Sequence, residues 1–305
     1  MDGFHYLNRR PWLPILLGIA VVVAVVLLWR KFHTERHAGL ETTTDRGVAV
    51  VERRDSQAQA SAPASVSSHV VNAASVLETR GDLAGARRAY LALLEQALPG
   101  PLCQDVEGRL GRIATELVFS PKPMPEKVEY VVLKGDSVDK IAKKFGTTAE
   151  LIQRGNGIGD PKRIQVGSRL KILKGKFSIV VSKSRYDLLL KLNNEFFKRY
   201  SVGTGKEGKT PLGEFTIWDK QKEPTWFPEG RVIPYGHPDN MLGTRWMAIQ
   251  PTGNMPKVQG YGIHGTWDTN SIGKAESAGC IRMKNSDVEE VFSLVPVNTP
   301  VTIVE

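Results

Sequence analysis

His264 and Cys280 stand sixteen residues apart, each inside a short, glycine-bearing, strand-like segment: Tyr261-Gly-Ile-His264-Gly265-Thr and Ser277-Ala-Gly279-Cys280-Ile-Arg282. A free thiol has a pKa of about 8.5, so a cysteine nucleophile at neutral pH needs a neighbouring base. The base in turn needs a third group to hold its ring in the useful tautomer, and the Gly265 carbonyl is the expected orienter of His264. An acyl-transfer intermediate also needs N–H donors. The small-residue turn Ala278-Gly279-Cys280 can present them without steric conflict, which makes the Gly279 and Cys280 N–H groups the candidates. Each residue alone has a plainer reading, Cys280 as a small buried apolar side chain and His264 as a satisfied core histidine. Together they describe acyl transfer through a thioester. A metal site is not expected. Cys280, His264 and His237 are too few donors, without a C-x-x-C or H-x-x-x-H spacing, and no residue pattern calls for a cofactor.

These segments resemble the catalytic domain of the L,D-transpeptidases, the YkuD family, over residues 176–304. The family signature is His-Gly, then Ser-His-Gly-Cys and an Arg or Asn; here it stands as His264-Gly265 and Ser277-Ala278-Gly279-Cys280-Ile281-Arg282, with Ala278 where the family has a second histidine. The upstream Thr210-Pro-Leu-Gly-Glu-Phe-Thr-Ile and Leu242-Gly-Thr-Arg-Trp are similar to the family too. The resemblance implies that Cys280 is acylated by a peptidoglycan stem tetrapeptide with release of D-alanine, and that the acyl group passes to an acceptor amine to form a cell-wall crosslink. Arg282 then either holds a substrate carboxylate or braces the loop, and Ser277 is placed with it on the substrate side. Ala278 leaves open a non-enzymatic, membrane-tethered peptidoglycan-binding protein, and with water in place of the acceptor amine the enzyme would instead be an L,D-carboxypeptidase.

The elements that must position these residues are mostly strands. Residues 177–182, 186–192 and 195–202 alternate as strands do, with Asn193-Asn194 as a tight hairpin turn. Further strands are predicted at 213–218, 245–250, 261–264, 280–283 and 301–304, and a helix at 287–294 with Ser286 and Glu289 as a capping box. The result is a mainly antiparallel β domain over 176–305, in line with the β-sandwich-like fold that the resemblance implies. Gly203-Thr-Gly205-Lys-Glu-Gly208-Lys209-Thr210 satisfies the P-loop pattern. A phosphate cradle needs a helix to begin there, however, and Pro211, Gly213 and an alternating β-rich run follow instead. The segment is read as a glycine-rich connection between strands, and no nucleotide partner is expected.

Upstream, residues 128–173 read strand, helix, helix, strand, with Asp136 or Ser137 capping the first helix and Thr148 the second. The stretch resembles a LysM domain, including Gly135-Asp-Ser137, Asn156-Gly157 and Val166-Gly167, which implies binding to peptidoglycan glycan strands. Residues 127–176 hold 12 Lys and Arg against 5 Asp and Glu, so much of the chain's net charge of +9 lies in this module. Only Tyr130 and Phe145 supply aromatics there, which argues against a nucleic-acid site. A solvated basic face and attraction to an anionic wall polymer both remain.

Residues 69–118 show helical spacing about a Gly81-Asp82 turn and resemble one tetratricopeptide-like hairpin plus a third helix, read as a spacer. Residues 38–68 read as a flexible stalk. Residues 12–29 form an uncharged run between tryptophans, about 27 Å long as a helix, long enough for a single-pass anchor within 1–37. The flanking arginines do not settle its orientation. A wall substrate requires the C-terminal domains to be extracytoplasmic, on the outer face of a bacterial cytoplasmic membrane. Cys103 and Cys280 are both read as free thiols.

Overall fold

The computed structural model describes residues 62–253 and 259–305. The anchor read at 12–29 and most of the stalk lie outside the described residues. Among those described, no helix is long and apolar enough to cross a membrane.

Three helices come first: α1 (Ala62–Thr79), α2 (Leu83–Leu94) and α3 (Gly100–Val118). α1 starts inside the stretch read as stalk, where Ala-Pro-Ala-Ser contains no breaker, since proline fits a first helical turn. Asp82 caps α2 by accepting the Gly85 N–H at 2.9 Å, and Pro101 opens α3. This region is no detached spacer. Tyr90, Leu93, Leu110 and Leu117 are buried in the same apolar cluster as the strands of the C-terminal domain. α3 lies along β5 (Glu195–Ser201), where Arg199 forms a two-pronged ion pair with Glu107 at 2.7 and 2.8 Å.

The next unit pairs β1 (Lys127–Val131) antiparallel with β2 (Arg169–Leu173) around α4 (Val138–Phe145) and α5 (Ala149–Asn156). Ser137 caps α4 and Thr148 caps α5. Asp136, the other cap candidate, instead accepts from the Leu133 N–H and the Tyr130 hydroxyl. Val138, Ile141, Ile152 and Ile172 make a small core of the unit's own. Leu151 belongs to the large cluster, and Glu150 pairs with Lys222 at 2.6 Å, so the unit is seated on the C-terminal domain.

That domain is built on β3 (Phe177–Ser182), β4 (Asp187–Leu192), β5, β7 (Gly213–Lys222), β8 (Arg245–Pro251), β9 (Gly262–Thr266), β11 (Ile281–Lys284) and β12 (Pro300–Val304). Their order is β11-β9-β8-β7-β12-β3-β4-β5, with β11–β9 and β12–β3 parallel and the other pairs antiparallel. Two short strands, β6 (Thr204–Gly205) and β10 (Ala275–Ser277), pair in parallel beside it. The β4–β5 turn has both Asn193 and Asn194 at positive φ, as a two-residue turn matched to strand twist requires.

The sandwich-like expectation is corrected here. Instead of two facing sheets there is one eight-stranded sheet whose two edges meet, because Gly203, just past edge strand β5, exchanges two 2.9 Å hydrogen bonds with Arg282 of edge strand β11. The sheet therefore closes in a barrel-like way. α6 (Asn285–Leu294) packs on it, and its cap position is Lys284, with no side-chain cap. β11 runs directly into the helix, so Ser286 falls inside the first turn and the predicted capping box does not form.

Candidate active site

The parallel pairing of β9 with β11 brings the two reactive segments together. Ile281 lies opposite Ile263 and Arg282 opposite His264. Cys280, the residue before β11, is thereby carried to the start of β9. Its Sγ lies 3.5 Å from the Gly260 carbonyl and also accepts from the Gly262 N–H. The thiol is half-buried and faces a cavity of about 270 Å³ lined by Thr225, Trp226, Phe227, Trp246 and Gly260. A larger groove of about 730 Å³, at Phe177, Asn193 and Pro300, carries neither cysteine nor histidine. Chemistry, not size, identifies the site.

His264 is buried and stacked on Trp246, ring centroids 5.7 Å apart. Its Nδ1 lies 2.6 Å from the Gly265 carbonyl oxygen. A nitrogen facing a carbonyl must carry the proton, which leaves Nε2 as the basic atom. Burial pushes the ring's pKa down to about 4; hydrogen bonding to Gly265 opposes this, the Arg282 charge adds to it, and the Leu242 backbone opposes it. Burial also pushes the Cys280 thiol above its ordinary range, against the Gly262 N–H and the Arg282 charge. Burial thus favours the neutral form of each group.

The turn that carries Cys280 is fixed from within. Ser277 is buried, accepts the Gly279 N–H at 3.0 Å and donates to the Cys280 carbonyl at 2.6 Å. The Ser277 hydroxyl and the Gly279 N–H are thus engaged with each other inside the turn. No hydrogen bond among the described residues uses the Cys280 N–H. Gly279 has φ +135°, and a Cβ there would lie 2.5 Å from the Tyr261 ring, so the turn demands glycine. Ala278 is exposed. Arg282 is half-buried, and among the described residues its guanidinium has no hydrogen-bonding or ion-pair partner.

Sequence reasoning missed Trp246 and the Gly260–Gly262 backbone. Trp246 ends the Leu242-Gly-Thr-Arg-Trp segment and Gly260 to Gly262 lead into His264, so the signal was proximity to motifs already singled out. Cys103 is also free; it sits on α3, away from His264's strand.

A cysteine on a glycine turn beside a strand bearing an oriented histidine has the groups that thiol-based acyl transfer needs. Residues 176–303 match the L,D-transpeptidase catalytic domain (YkuD), and residues 130–173 match the LysM domain. YqjB of Bacillus subtilis (strain 168) is 40% identical over 134 residues, 44% of this chain and 74% of that protein. YkuD of the same organism is 37% identical over 180 residues, 57% of this chain and 97% of that protein. The chain belongs to the L,D-transpeptidase (YkuD) family, with a LysM domain ahead of the catalytic domain.

Proposed function

We propose that the protein is a peptidoglycan L,D-transpeptidase with Cys280 as nucleophile and His264 as general base. The observation that carries this is the β9–β11 pairing, which sets the cysteine turn beside the histidine strand at the mouth of an aromatic-lined cavity.

In this reading His264 Nε2 takes the thiol proton as Sγ attacks the carbonyl carbon of the third residue of a stem tetrapeptide. Because both groups start neutral, the charge pair forms only as the C–S bond forms. The Cys280 N–H donates to the developing oxyanion. Collapse of the intermediate breaks the C–N bond, and His264 returns its proton to the departing D-alanine amine. An acceptor amine then attacks the thioester, His264 removes its proton, and the thiol is regenerated as the new amide forms. Arg282, whose guanidinium has no carboxylate partner among the described residues, holds a substrate carboxylate in this reading. The LysM domain holds the glycan strand, and the catalytic domain works outside the cytoplasmic membrane.

The test is incubation of the full-length chain with a disaccharide-tetrapeptide, followed by mass spectrometry. A crosslinked dimer with released D-alanine is expected. Tripeptide without dimer would mean hydrolysis. Cys280→Ala should abolish either product and leave the fold intact, whereas Cys103→Ala should change little; the reverse result would remove the assignment.

A further inference from the structure

The P-loop-like run Gly203 to Thr210 is read as a strand connection with no phosphate partner, and it is bonded closely to the turn that carries Cys280. Thr210 is 1% exposed. Its Oγ1 donates to the Gly279 carbonyl at 2.9 Å and accepts the Gly205 N–H at 2.7 Å. Gly205 is buried against the turn so closely that a Cβ there would lie 2.7 Å from Gly279 Cα. On one side of Gly205, Gly203 is bonded twice to Arg282; on the other, the Lys209 carbonyl lies 3.1 Å from where a Gly279 Cβ would stand.

The carbonyl that Thr210 holds belongs to the peptide unit whose N–H is that of Cys280. In a planar trans peptide the C=O and N–H point in opposite directions. Anchoring the Gly279 oxygen on Thr210 therefore aims the Cys280 N–H away from Thr210, as a free donor. Without the anchor, the plane between Gly279 and Cys280 is free to turn over. A glycine at φ +135° tolerates such a turn better than any other residue. Ser277 holds the peptide units on either side, through the Gly279 N–H and the Cys280 carbonyl, and leaves this one plane to Thr210.

We infer that Thr210 is a positioning residue that latches the peptide plane ahead of the nucleophile and so fixes the Cys280 N–H as the oxyanion donor. This rests on the acyl-transfer reading of Cys280, but not on the identity of the peptide substrate.

The experiment compares two reactions of one thiol in the full-length Cys103→Ala chain, with Cys280→Ala as the blank. Acetylation by p-nitrophenyl acetate passes through an oxyanion; alkylation by iodoacetamide does not. Thr210→Val should slow acetylation by about 10²-fold, the scale of losing one oxyanion donor, while the alkylation rate stays close to that of the parent. Thr210→Ser should restore acetylation. Acetylation unchanged in Thr210→Val, or acetylation and alkylation falling together, would overturn the latch. Thr210→Ser and Thr210→Ala differ by the hydroxyl alone and give the comparison a second time if the valine variant does not fold. A parent chain that is acetylated but leaves the disaccharide-tetrapeptide untouched would remove the substrate assignment and leave the Thr210 comparison standing.

Discussion

The electrostatics of two side chains decide how Cys280 reacts. Burial holds His264 near 4 and lifts the thiol, so each group favours its neutral form before substrate arrives. Iodoacetamide alkylation of Cys280 should therefore keep rising with pH to beyond the ordinary thiol range of about 8.5. A plateau at pH 5–7 would reveal a preformed ion pair. A base whose conjugate acid is this strong stays unprotonated well into acid, so the acidic limb of acylation should fall near pH 4 and not near 6.5. The stability consequence has a definite sign. In the unfolded chain the imidazole takes its proton as pH drops through about 6.5, while the folded chain resists until about 4, so this group destabilises the fold progressively through that window. At this scale the sequence was informative about residue types and poor about hydrogen bonds. His264 and Cys280 stand out by type and spacing. Nothing in a string of residues shows that the Ser277 hydroxyl reaches two backbone groups of its own turn.

At the scale of elements, the alternation of apolar residues located the strands within a residue or two along most of the domain, because each has one face against the core. Alternation reports which face is buried, not which strand lies alongside. Closure of the sheet depends on Gly203 meeting Arg282, a contact far apart in sequence between two short segments, and a sandwich was the natural expectation without it. The C-terminal end of α6 shows another device invisible to periodicity. Lys220 of β7 donates to the Phe292 and Val295 carbonyls at 2.7 and 2.6 Å, with its ammonium over the Phe292 ring, satisfying acceptors that a helix end leaves open. Burial pulls its pKa down to about 8, with the nearby Glu150 opposing. Lys220→Met keeps the stem and removes the charged donor. It should lower stability by about 1.5–3 kcal/mol, the range for a hydrogen bond from a charged group, visible as a lower urea midpoint. An unchanged midpoint would show that the contact is incidental.

Across the whole molecule, one guanidinium joins three regions. Arg87 of α2 is 4% exposed and pairs with Glu126, just ahead of the LysM strand β1, at 2.9 Å and with Glu195 at the start of β5 at 3.3 Å. The arrangement is imperfect, since among the described residues Arg87 Nε and Glu126 Oε2 have no hydrogen-bond partner. Removing one member of a buried pair strands the other charge, so Arg87→Met should cost about 3–5 kcal/mol, whereas the double change Arg87→Met with Glu126→Leu should cost much less. Thermal unfolding of the two variants measures the difference; equal losses would mean that packing of the arginine stem, not charge, is what matters.

The helical region has a consequence for the life of the protein in solution. Closure joins β5 to β11 only through the Gly203 bridge just past its end, so β5 itself still ends the strand order, and α3 is laid along it through Glu107 and through Gly111 against Lys198. An uncovered outer strand is a template for self-association. A chain beginning after Val118 would keep Cys280, His264 and Thr210 but bare that strand, and light scattering should show it clumping as concentration rises while dilute samples still react. On this view the helices act as a built-in guard against aggregation.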